Sequence, residues 1–228
     1  LGNVPSRVDL VLDLSRYRRV LDYKPADLTA TVEAGISLAA LQRELAPGGK
    51  FLPLEAPLAE SATVGGILAA NASGPLRYGY GMPRDWLIGI SVVLADGVEA
   101  KAGGKVVKNV TGYDLNKLYI GSLGTLGVIV EATFKLAPRP AALAALAAGF
   151  SSLREAAEAG AGLLRQVFAP QGVQVIDREV ARRVLPDIRG EACQTEVAPS
   201  ARSGAQASNG APTRNPALAL AFFSGPGG

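Results

Sequence analysis

The sequence predicts a chain of mixed helices and strands organised as two domains. Alternating apolar and polar residues, the pattern of half-buried strands, recur between residues 8 and 136. Asp96-Gly97 separates two such segments and is the strongest short signal for a β-hairpin. After Pro138-Arg139-Pro140 the pattern changes to a βαβ-like alternation, which indicates that a second domain begins there.

The first elements are predicted from local signals. Residues 8–14 and 28–33 alternate and are rich in β-branched side chains, so both are predicted strands, with a turn at residues 22–25 between them. Ser37 is expected to cap a helix over residues 38–46, whose apolar positions fall on one face.

The remaining elements are short and separated by glycine and proline. In chain order we expect a strand at 51–54, a Pro-rich loop at 55–58, a small-residue helix at 67–71, an irregular loop at 71–81, hairpin strands at 86–95 and 98–102, a helix at 113–120, a strand at 126–136, an Ala/Leu run at 141–148, helices at 153–168 and 178–185, and strands at 174–177 and 217–223. Residues 198–216 contain no Leu, Ile, Val or Phe and cannot bury a core, so they are predicted to be a flexible insertion.

Residue counts exclude several kinds of chemistry. The chain has 23 Lys and Arg against 20 Asp and Glu, and its net charge of +3 gives no support to nucleic-acid binding. With no histidine, it supplies no Ser-His or Cys-His dyad, no His-ligated zinc and no histidyl-linked cofactor. Its single cysteine, Cys193, excludes an internal disulfide and a cysteine-ligated iron–sulfur cluster. We therefore expect a cofactor to carry any chemistry, in a soluble protein of a reducing compartment.

A first candidate site is Thr63-Val64-Gly65-Gly66, ahead of a predicted helix. Two glycines allow a backbone to approach a ligand closely, and a helix N-terminus offers free N–H groups and a positive dipole end. A pyrophosphate needs both features. The alternative interpretation is a tight strand-to-helix turn without a ligand.

Three further stretches are rich in glycine or polar residues. Residues 121–127 (GSLGTLG) lead into a strand, unlike the dinucleotide fingerprint G-x-G-x-x-G, which opens a helix; a plain helix-to-strand connection is the alternative. Arg84-Asp85 precedes the hairpin, and a structural ion pair is its simpler interpretation. Residues 108–114 form a polar loop typical of sites, for which capping of the next helix is the alternative.

The order of these stretches is more specific than any one of them. Residues 62–71 (ATVGGILAAN), 93–97 (VLADG) and 121–132 (GSLGTLGVIVEA) together resemble the FAD-binding domain of the vanillyl-alcohol oxidase / p-cresol methylhydroxylase (PCMH-type) superfamily. Within that superfamily, residues 73–75 (SGP) and 107–115 (VKNVTGYDL) resemble the smaller FAD-binding subunit of the bacterial glycolate-oxidase type. The resemblance covers most of the first domain.

The resemblance implies an α+β fold. Residues 1–140 would form a PCMH-type FAD-binding domain of two α/β subdomains with FAD between them, and residues 141–228 a partial α/β cap domain. Residues 63–66 and 71–74 would line the pyrophosphate and flavin, and the edge backbone at 128–130 would bind adenine. The implied cofactor-binding residues are Thr63, Val64, Gly65, Gly66, Asn71, Ser73, Gly74, Arg84, Lys108, Gly124, Gly127, Val128 and Ile129.

The chain departs from the family in two ways. The family's first pyrophosphate loop is expected before Leu1, and the cap stops at Gly228, so both ends are expected to be cuts through a longer chain. Related dehydrogenases place a metal and a histidine base in the cap, and a chain without histidine cannot carry those roles over. No catalytic residue and no metal ligand is assigned; Lys108 or Arg84 would stabilise an anionic reduced flavin.

The implied function is that of a FAD-binding subunit of a glycolate-oxidase-type oxidoreductase. A 2-hydroxy acid such as glycolate or D-lactate would lose two electrons to FAD. An iron–sulfur partner subunit would receive the electrons, beside a larger FAD-binding sister subunit. We expect FAD to be non-covalent and the protein to be cytoplasmic, with attachment to the inner membrane through partner subunits left open. The alternative is a non-catalytic scaffold subunit that holds FAD or no cofactor.

Overall fold

The protein forms two compact units. The computed structural model describes residues 7–104, 115–165, 170–184 and 217–225. The first unit contains the described residues up to Gly74 and those of Tyr80–Arg139, and the second contains Pro75–Gly79 and the described residues from Pro140 onward. The segment Pro75–Gly79 thus leaves the first unit and returns to it, which no sequence signal indicated.

The first unit is built on a five-stranded antiparallel sheet. The strands up to residue 138 are β1 (Val20–Lys24), β2 (Thr29–Glu33), β3 (Lys50–Phe51), β4 (Leu87–Val93), β5 (Glu99–Gly103), β6 (Val128–Lys135) and β7 (Ala137–Pro138). The sheet has the order β1-β2-β6-β4-β5, and β3 pairs separately with β7. The helices up to residue 119 are α1 (Leu38–Leu45), α2 (Val64–Ala70), α3 (Arg77–Tyr80), α4 (Pro83–Trp86) and α5 (Asn116–Tyr119), of which all except most of α3 belong to the first unit.

The core of the first unit joins one face of this sheet to α1 and α2. Apolar side chains of β2, β4 and β6 alternate along each strand and turn to this face. In α1 the apolar residues recur at three- and four-residue spacing, which puts them on one side of the helix. The side chains of this core with 4% exposure or less include Ala30, Val32, Leu38, Leu41, Leu45, Val64, Ile67, Leu68, Ile90, Val92, Ala132 and Phe134.

Strong local signals located several elements correctly. Helix α1 begins at Leu38 behind its cap Ser37, whose Oγ accepts a hydrogen bond from the Ala40 amide at 3.2 Å. The Asp96-Gly97 turn joins β4 to β5, which pair antiparallel as predicted. Helix α2 begins at Val64 rather than at residue 67, because the two glycines are part of the helix.

The strand predicted at residues 8–14 is wrong. This segment forms no strand, and Val8, Leu10 and Leu12 are 56%, 84% and 63% exposed. Alternation produces a strand only where a neighbouring strand supplies hydrogen bonds, and none of the described strands lies beside it. The first strand among the described residues is β1, so the turn predicted at 22–25 falls largely inside it, and the observed turn spans residues 25–28.

The second unit contains a three-stranded sheet. Its elements are β8 (Ala142–Phe150), α6 (Leu153–Leu163), β9 (Gly172–Ile176), α7 (Arg178–Val184) and β10 (Ala217–Gly225). Both β8 and β9 pair antiparallel with β10, so they are parallel to each other and α6 crosses between them. The predicted βαβ order is therefore present, with β10 inserted between its strands.

Two of the segments predicted from the sequence cannot be compared with the structure. The insertion predicted at 198–216 and the polar loop at 108–114 lie outside the described residues. Among the residues that the structure does describe, no helix combines the length and the apolar character that crossing a bilayer requires.

Candidate functional site

Thr63 begins helix α2 and satisfies two of its amides. The Thr63 Oγ1 accepts a hydrogen bond from Gly66 N at 3.2 Å, as an N-cap side chain does. The Thr63 carbonyl accepts from Ile67 N at 2.9 Å, which is the first bond of the helix proper. Threonine at this position is therefore explained by helix capping.

The two intervening amides of α2 are bonded to the chain that follows β2. Val64 N donates to the carbonyl of Ile36 at 2.9 Å, and Gly65 N donates to the carbonyl of Ala34 at 2.7 Å. All of the first four amides of the helix thus have acceptors within the protein. The prediction that this helix start offers free N–H groups to a pyrophosphate is wrong for this conformation.

The adjacent glycines Gly65 and Gly66 have different surroundings. Gly65 is buried, and a Cβ built on it would lie 2.9 Å from Ala34 Cβ and 3.1 Å from Ala34 O. Gly66 is exposed, and a Cβ there would meet only Thr63 Oγ1, at 3.1 Å. Gly65 allows the helix to approach the sheet closely, whereas Gly66 leaves a backbone face open where a ligand can approach.

The second glycine stretch is bonded to the last turn of the same helix. The amides of Gly121 and Leu123 donate to the carbonyls of Leu68 and Ala69, both at 2.9 Å. The last carbonyls of a helix have no i+4 partner, and these two bonds serve them, although Leu68 O also accepts from Asn71 N at 3.1 Å. Both glycine-rich stretches of the sequence therefore meet on α2.

The glycine run 121–127 turns through left-handed backbone. The φ angles of Gly121, Leu123 and Gly124 are +80°, +54° and +76°, a region that is unstrained for glycine and costly for leucine. A Cβ on Gly124 would have nothing within 4 Å, and its amide donates no hydrogen bond to any described residue. Gly127 is the opposite case, since a Cβ there would lie 2.6 Å from Val92 Cγ1.

The strand that follows the run leaves part of one backbone edge unpaired. Strand β6 pairs with β4 as far as Val128, but its pairing with β2 starts only at Glu131. Between these points the Val130 carbonyl accepts from Ala34 N at 2.9 Å. The corresponding edge of Val128 and Ile129 has no strand partner among the described strands, at the position where the resemblance predicts adenine.

Asn71 and Ser122 contribute two unpartnered oxygens beside this junction. Asn71 ends α2 with φ +49°, and a Cβ on Gly121 would lie 3.6 Å from Asn71 Cβ. The Asn71 Oδ1 and the Ser122 Oγ are buried without a hydrogen-bond partner among the described residues. Such an atom costs about 1–3 kcal/mol, and local strain of this kind is concentrated at functional sites. Sequence reasoning missed Ser122, because only the glycines of its stretch carried a signal.

Ser73 and Gly74 follow Asn71 and are both half-buried. A Cβ built on Gly74 would lie 2.5 Å from Glu55 Oε2 and 2.7 Å from Glu55 Cδ. The glutamate of the Pro-rich loop therefore covers the side-chain direction of this glycine.

Two predicted cationic residues do not join the glycine stretches in the described structure. Arg84 is exposed on α4, and no hydrogen bond or ion pair among the described residues connects it to α2. Its predicted ion pair with Asp85 is absent, because the Asp85 Oδ2 instead accepts from Met82 N at 2.7 Å. Lys108 lies outside the described residues. The roles of both cations stay predictions.

An ion pair between the exposed Arg19 side chain and the buried Glu33 carboxylate anchors the end of β2 next to Ala34. Glu33 is 5% exposed and accepts from Arg19 N and Nη2, both at 2.7 Å, and from Arg19 Nε at 3.0 Å. The hydrogen bonds from the Arg19 side chain hold the pKa of Glu33 below its usual value, and they raise the pKa of Arg19. The backbone against which Gly65 packs is therefore fixed by charge as well as by the sheet.

Comparison with protein families identifies the cofactor of this part of the chain. Residues 2–103 match the FAD binding domain family, and this range includes α2 with both of its glycines. This part of the chain is an FAD-binding domain. FAD is its cofactor, as predicted, and the recognised PCMH-type family is confirmed.

Proteins similar to this chain are named as glycolate oxidase subunits and as D-lactate dehydrogenase. The chain is 34% identical over 177 residues to glycolate oxidase subunit GlcD of Bacillus subtilis (strain 168), covering 78% of this chain and 38% of that protein. It is 39% identical over 132 residues to glycolate oxidase subunit GlcE of Escherichia coli (strain K12), covering 58% of this chain and 38% of that protein. It is 32% identical over 171 residues to D-lactate dehydrogenase of Anaerostipes hadrus, covering 75% of this chain and 36% of that protein. The chain thus spans less than two fifths of the length of these relatives.

A solved structure supports the fold. The chain superposes on alkyldihydroxyacetonephosphate synthase with a TM-score of 0.70 at 23% identity, covering 94% of this chain and 38% of that chain. The α+β, PCMH-type fold class is confirmed. This likeness concerns the fold alone.

The described residues fit FAD at some positions and not at others. Gly66 and Gly124 present backbone faces that a Cβ would fill, as close approach by a phosphate or sugar requires. Gly124 also keeps an amide without an acceptor among the described residues. The first amides of α2 are committed elsewhere, so they add nothing to phosphate binding in this conformation.

Proposed function

We propose that the protein is a FAD-binding subunit of a glycolate-oxidase-type oxidoreductase. It supports oxidation of a 2-hydroxy acid such as glycolate or D-lactate. Electrons pass from its flavin to an iron–sulfur partner subunit, beside a larger FAD-binding sister subunit. The relatives named as glycolate oxidase subunits and as D-lactate dehydrogenase support the proposal. The observation that carries it is the bonding of the glycine run to α2, because it joins the two FAD motifs on one helix.

The residues of the first unit bind and orient the cofactor in this proposal. When bound, FAD supplies the two-electron acceptor for the substrate. Gly66 and Gly124 offer the open backbone faces, residues 71–74 border the flavin, and the unpaired edge of Val128 and Ile129 receives adenine. Backbone dipoles rather than a basic patch meet the phosphates, which suits a chain with a net charge of only +3.

The proton of the substrate hydroxyl needs a base that this chain does not visibly supply. The chain has no histidine, and no group of three or more His, Cys, Asp or Glu capable of holding a metal occurs among the described residues. We therefore propose that the sister subunit removes the proton and that this subunit relays electrons.

The visible absorption spectrum of the flavin tests the proposal. The full-length protein, purified with and without its partner subunits, should show a flavin spectrum. Glycolate or D-lactate should bleach that spectrum only when the partners are present. Bleaching in the isolated subunit would contradict relay and assign turnover to this chain.

The alternative function is a scaffold subunit that does not exchange electrons, and the absence of histidine favours it. A flavin that stays oxidised in the complete complex during substrate turnover would support this alternative. A full-length protein without flavin would support a cofactor-free scaffold.

The mode of FAD attachment is a separate prediction. Histidyl attachment is impossible in this chain, and Cys193 is remote in sequence from the glycine stretches. Acid precipitation should therefore release the flavin into the supernatant. A yellow pellet would contradict non-covalent binding.

A further inference from the structure

We infer that Glu55 is a positioning residue for the cofactor, which holds residues 71–74 in the conformation that borders the flavin. The inference rests on the proposed function, because it takes this segment to be flavin-lining. In the sequence Glu55 lies in a Pro-rich loop, and no motif there indicates a role for it.

Contact between Glu55 and Gly74 is the first observation. A Cβ on Gly74 would lie 2.5 Å from Glu55 Oε2 and 2.7 Å from both Cδ and Cγ. The outer half of the glutamate side chain therefore occupies the space that any side chain at position 74 would need. At Gly66 the same direction is open apart from one contact at 3.1 Å. Gly74 is thus a glycine because Glu55 lies on it, and only its backbone remains to meet a cofactor.

The loop that carries Glu55 is firmly held, which is the second observation. Leu54 and Ala56, on either side of it, are 7% and 9% exposed. The Gln42 side chain clamps the nearby backbone, donating to Leu52 O at 2.5 Å and accepting from Leu52 N at 3.2 Å. Glu55 is half-buried, and a side chain carried by a well-held loop can fix the position of the backbone that it contacts.

The touched backbone is a place that needs such support. Asn71 starts the segment in left-handed backbone and carries a buried oxygen without a partner among the described residues. The cap bond from Ala72 N to Ile67 O, at 2.9 Å, fixes only the start of the segment, so the position of Gly74 depends on a further contact. Glu55 supplies that contact three residues further along.

The test compares variants of the full-length protein. Glu55→Ala should weaken FAD binding by about 10-fold, because residues 71–74 lose the side chain that packs on Gly74, and it should change the visible circular dichroism of the bound flavin. Glu55→Gln keeps the shape and an acceptor oxygen, so it should restore affinity and spectrum. Glu60→Ala is the control, since Glu60 is exposed on the same stretch and pairs with exposed Arg43.

Gly74→Ala supplies a second, independent arm. Its methyl group would displace the Glu55 carboxylate, so it should reproduce the effect of Glu55→Ala. The double variant should then be no weaker than either single variant, which is the signature of one shared interaction. Additive losses would overturn the inference, as would Glu55→Ala with the affinity and spectrum of Glu60→Ala.

Failure of the inference is distinguishable from failure of the proposed function. If 2-hydroxy acid bleaches the complex but Glu55→Ala behaves as Glu60→Ala does, the positioning role is overturned and the function stands. If no 2-hydroxy acid bleaches the complex but the flavin spectrum changes as described, the function is overturned and the positioning role is supported.

Discussion

The two glycine-rich stretches of the first unit each contain one glycine packed against the sheet and one glycine that is open. Gly65 packs against Ala34, and Gly127 packs against Val92. A Cβ on Gly124 would meet nothing within 4 Å, and a Cβ on Gly66 would meet only the side-chain oxygen of Thr63, at 3.1 Å. The motif therefore combines two separate requirements. Close packing positions the backbone, and the less crowded glycines leave it accessible to the cofactor that we propose binds there.

The stretches differ in what their amides do. The first four amides of α2 are all bonded within the protein, whereas the amide of Gly124 has no acceptor among the described residues. The start of α2 therefore serves chiefly to pack the helix against the chain that follows β2, and Gly66 is the exposed residue of this turn. The run after α5 is the more open of the two, and its bonds to α2 hold both stretches in place.

Gly65→Val should have the largest effect on stability. Its side chain would overlap Ala34, and overpacking a core typically costs about 1–3 kcal/mol or more. We expect a clear loss of unfolding free energy in urea, with FAD binding lost as a consequence. A Gly65→Val protein with unchanged stability and no FAD affinity would mean that Gly65 faces the ligand.

Gly127→Ala should destabilise the fold for a related reason, by about 1–2 kcal/mol. Its Cβ would lie 2.6 Å from Val92 Cγ1, and its φ of +153° disfavours any side chain. Gly104→Ala is the matched control, because a Cβ there has nothing within 4 Å and its backbone is not left-handed. Equal melting temperatures for the two variants would contradict the packing role.

Sequence reasoning succeeded where a signal was local. The Ser37 cap and the Asp96-Gly97 turn each act through residues a few positions away, so α1 and the hairpin were predicted correctly. Residues 8–14 show an equally clear strand pattern. A strand also needs a neighbouring strand to bond to, however, and the sequence of one segment does not reveal whether such a neighbour exists. The difference between Gly65 and Gly66 was hidden for the same reason, since Ala34 lies far away in sequence.

Partial success at the candidate site has a similar cause. Family resemblance identified the cofactor, but it could not show that the amides of α2 are already bonded, and the glycine stretches stay a predicted site. Ser122 and Glu55 gave no sequence signal, because a buried unpaired oxygen and a contact with Gly74 exist only in the folded chain.

Glu33→Gln probes the anchor beneath Gly65 and should have a smaller, pH-dependent effect. The pKa of Glu33 is lowered from 4.5 in the folded protein, so its stabilising contribution is complete above that value and is lost as the pH falls through the folded pKa. The unfolding free energy of the wild type should exceed that of the variant by about 1 kcal/mol or less at neutral pH, because the Arg19 side chain is 76% exposed and solvent screens the pair. Urea unfolding at several pH values should show this gap closing below pH 4.5. A gap independent of pH would contradict the charged interaction.

FAD titration of Gly66→Val tests the central claim most directly. Gly162→Val is its control, because Gly162 also lies in a helix and has an open side-chain direction, but in the second unit. In the full-length protein we expect Gly66→Val to weaken FAD binding by at least about 10-fold, while its melting temperature stays close to that of the control. Unchanged FAD affinity in a folded Gly66→Val protein would show that the open face of α2 is not where the cofactor binds.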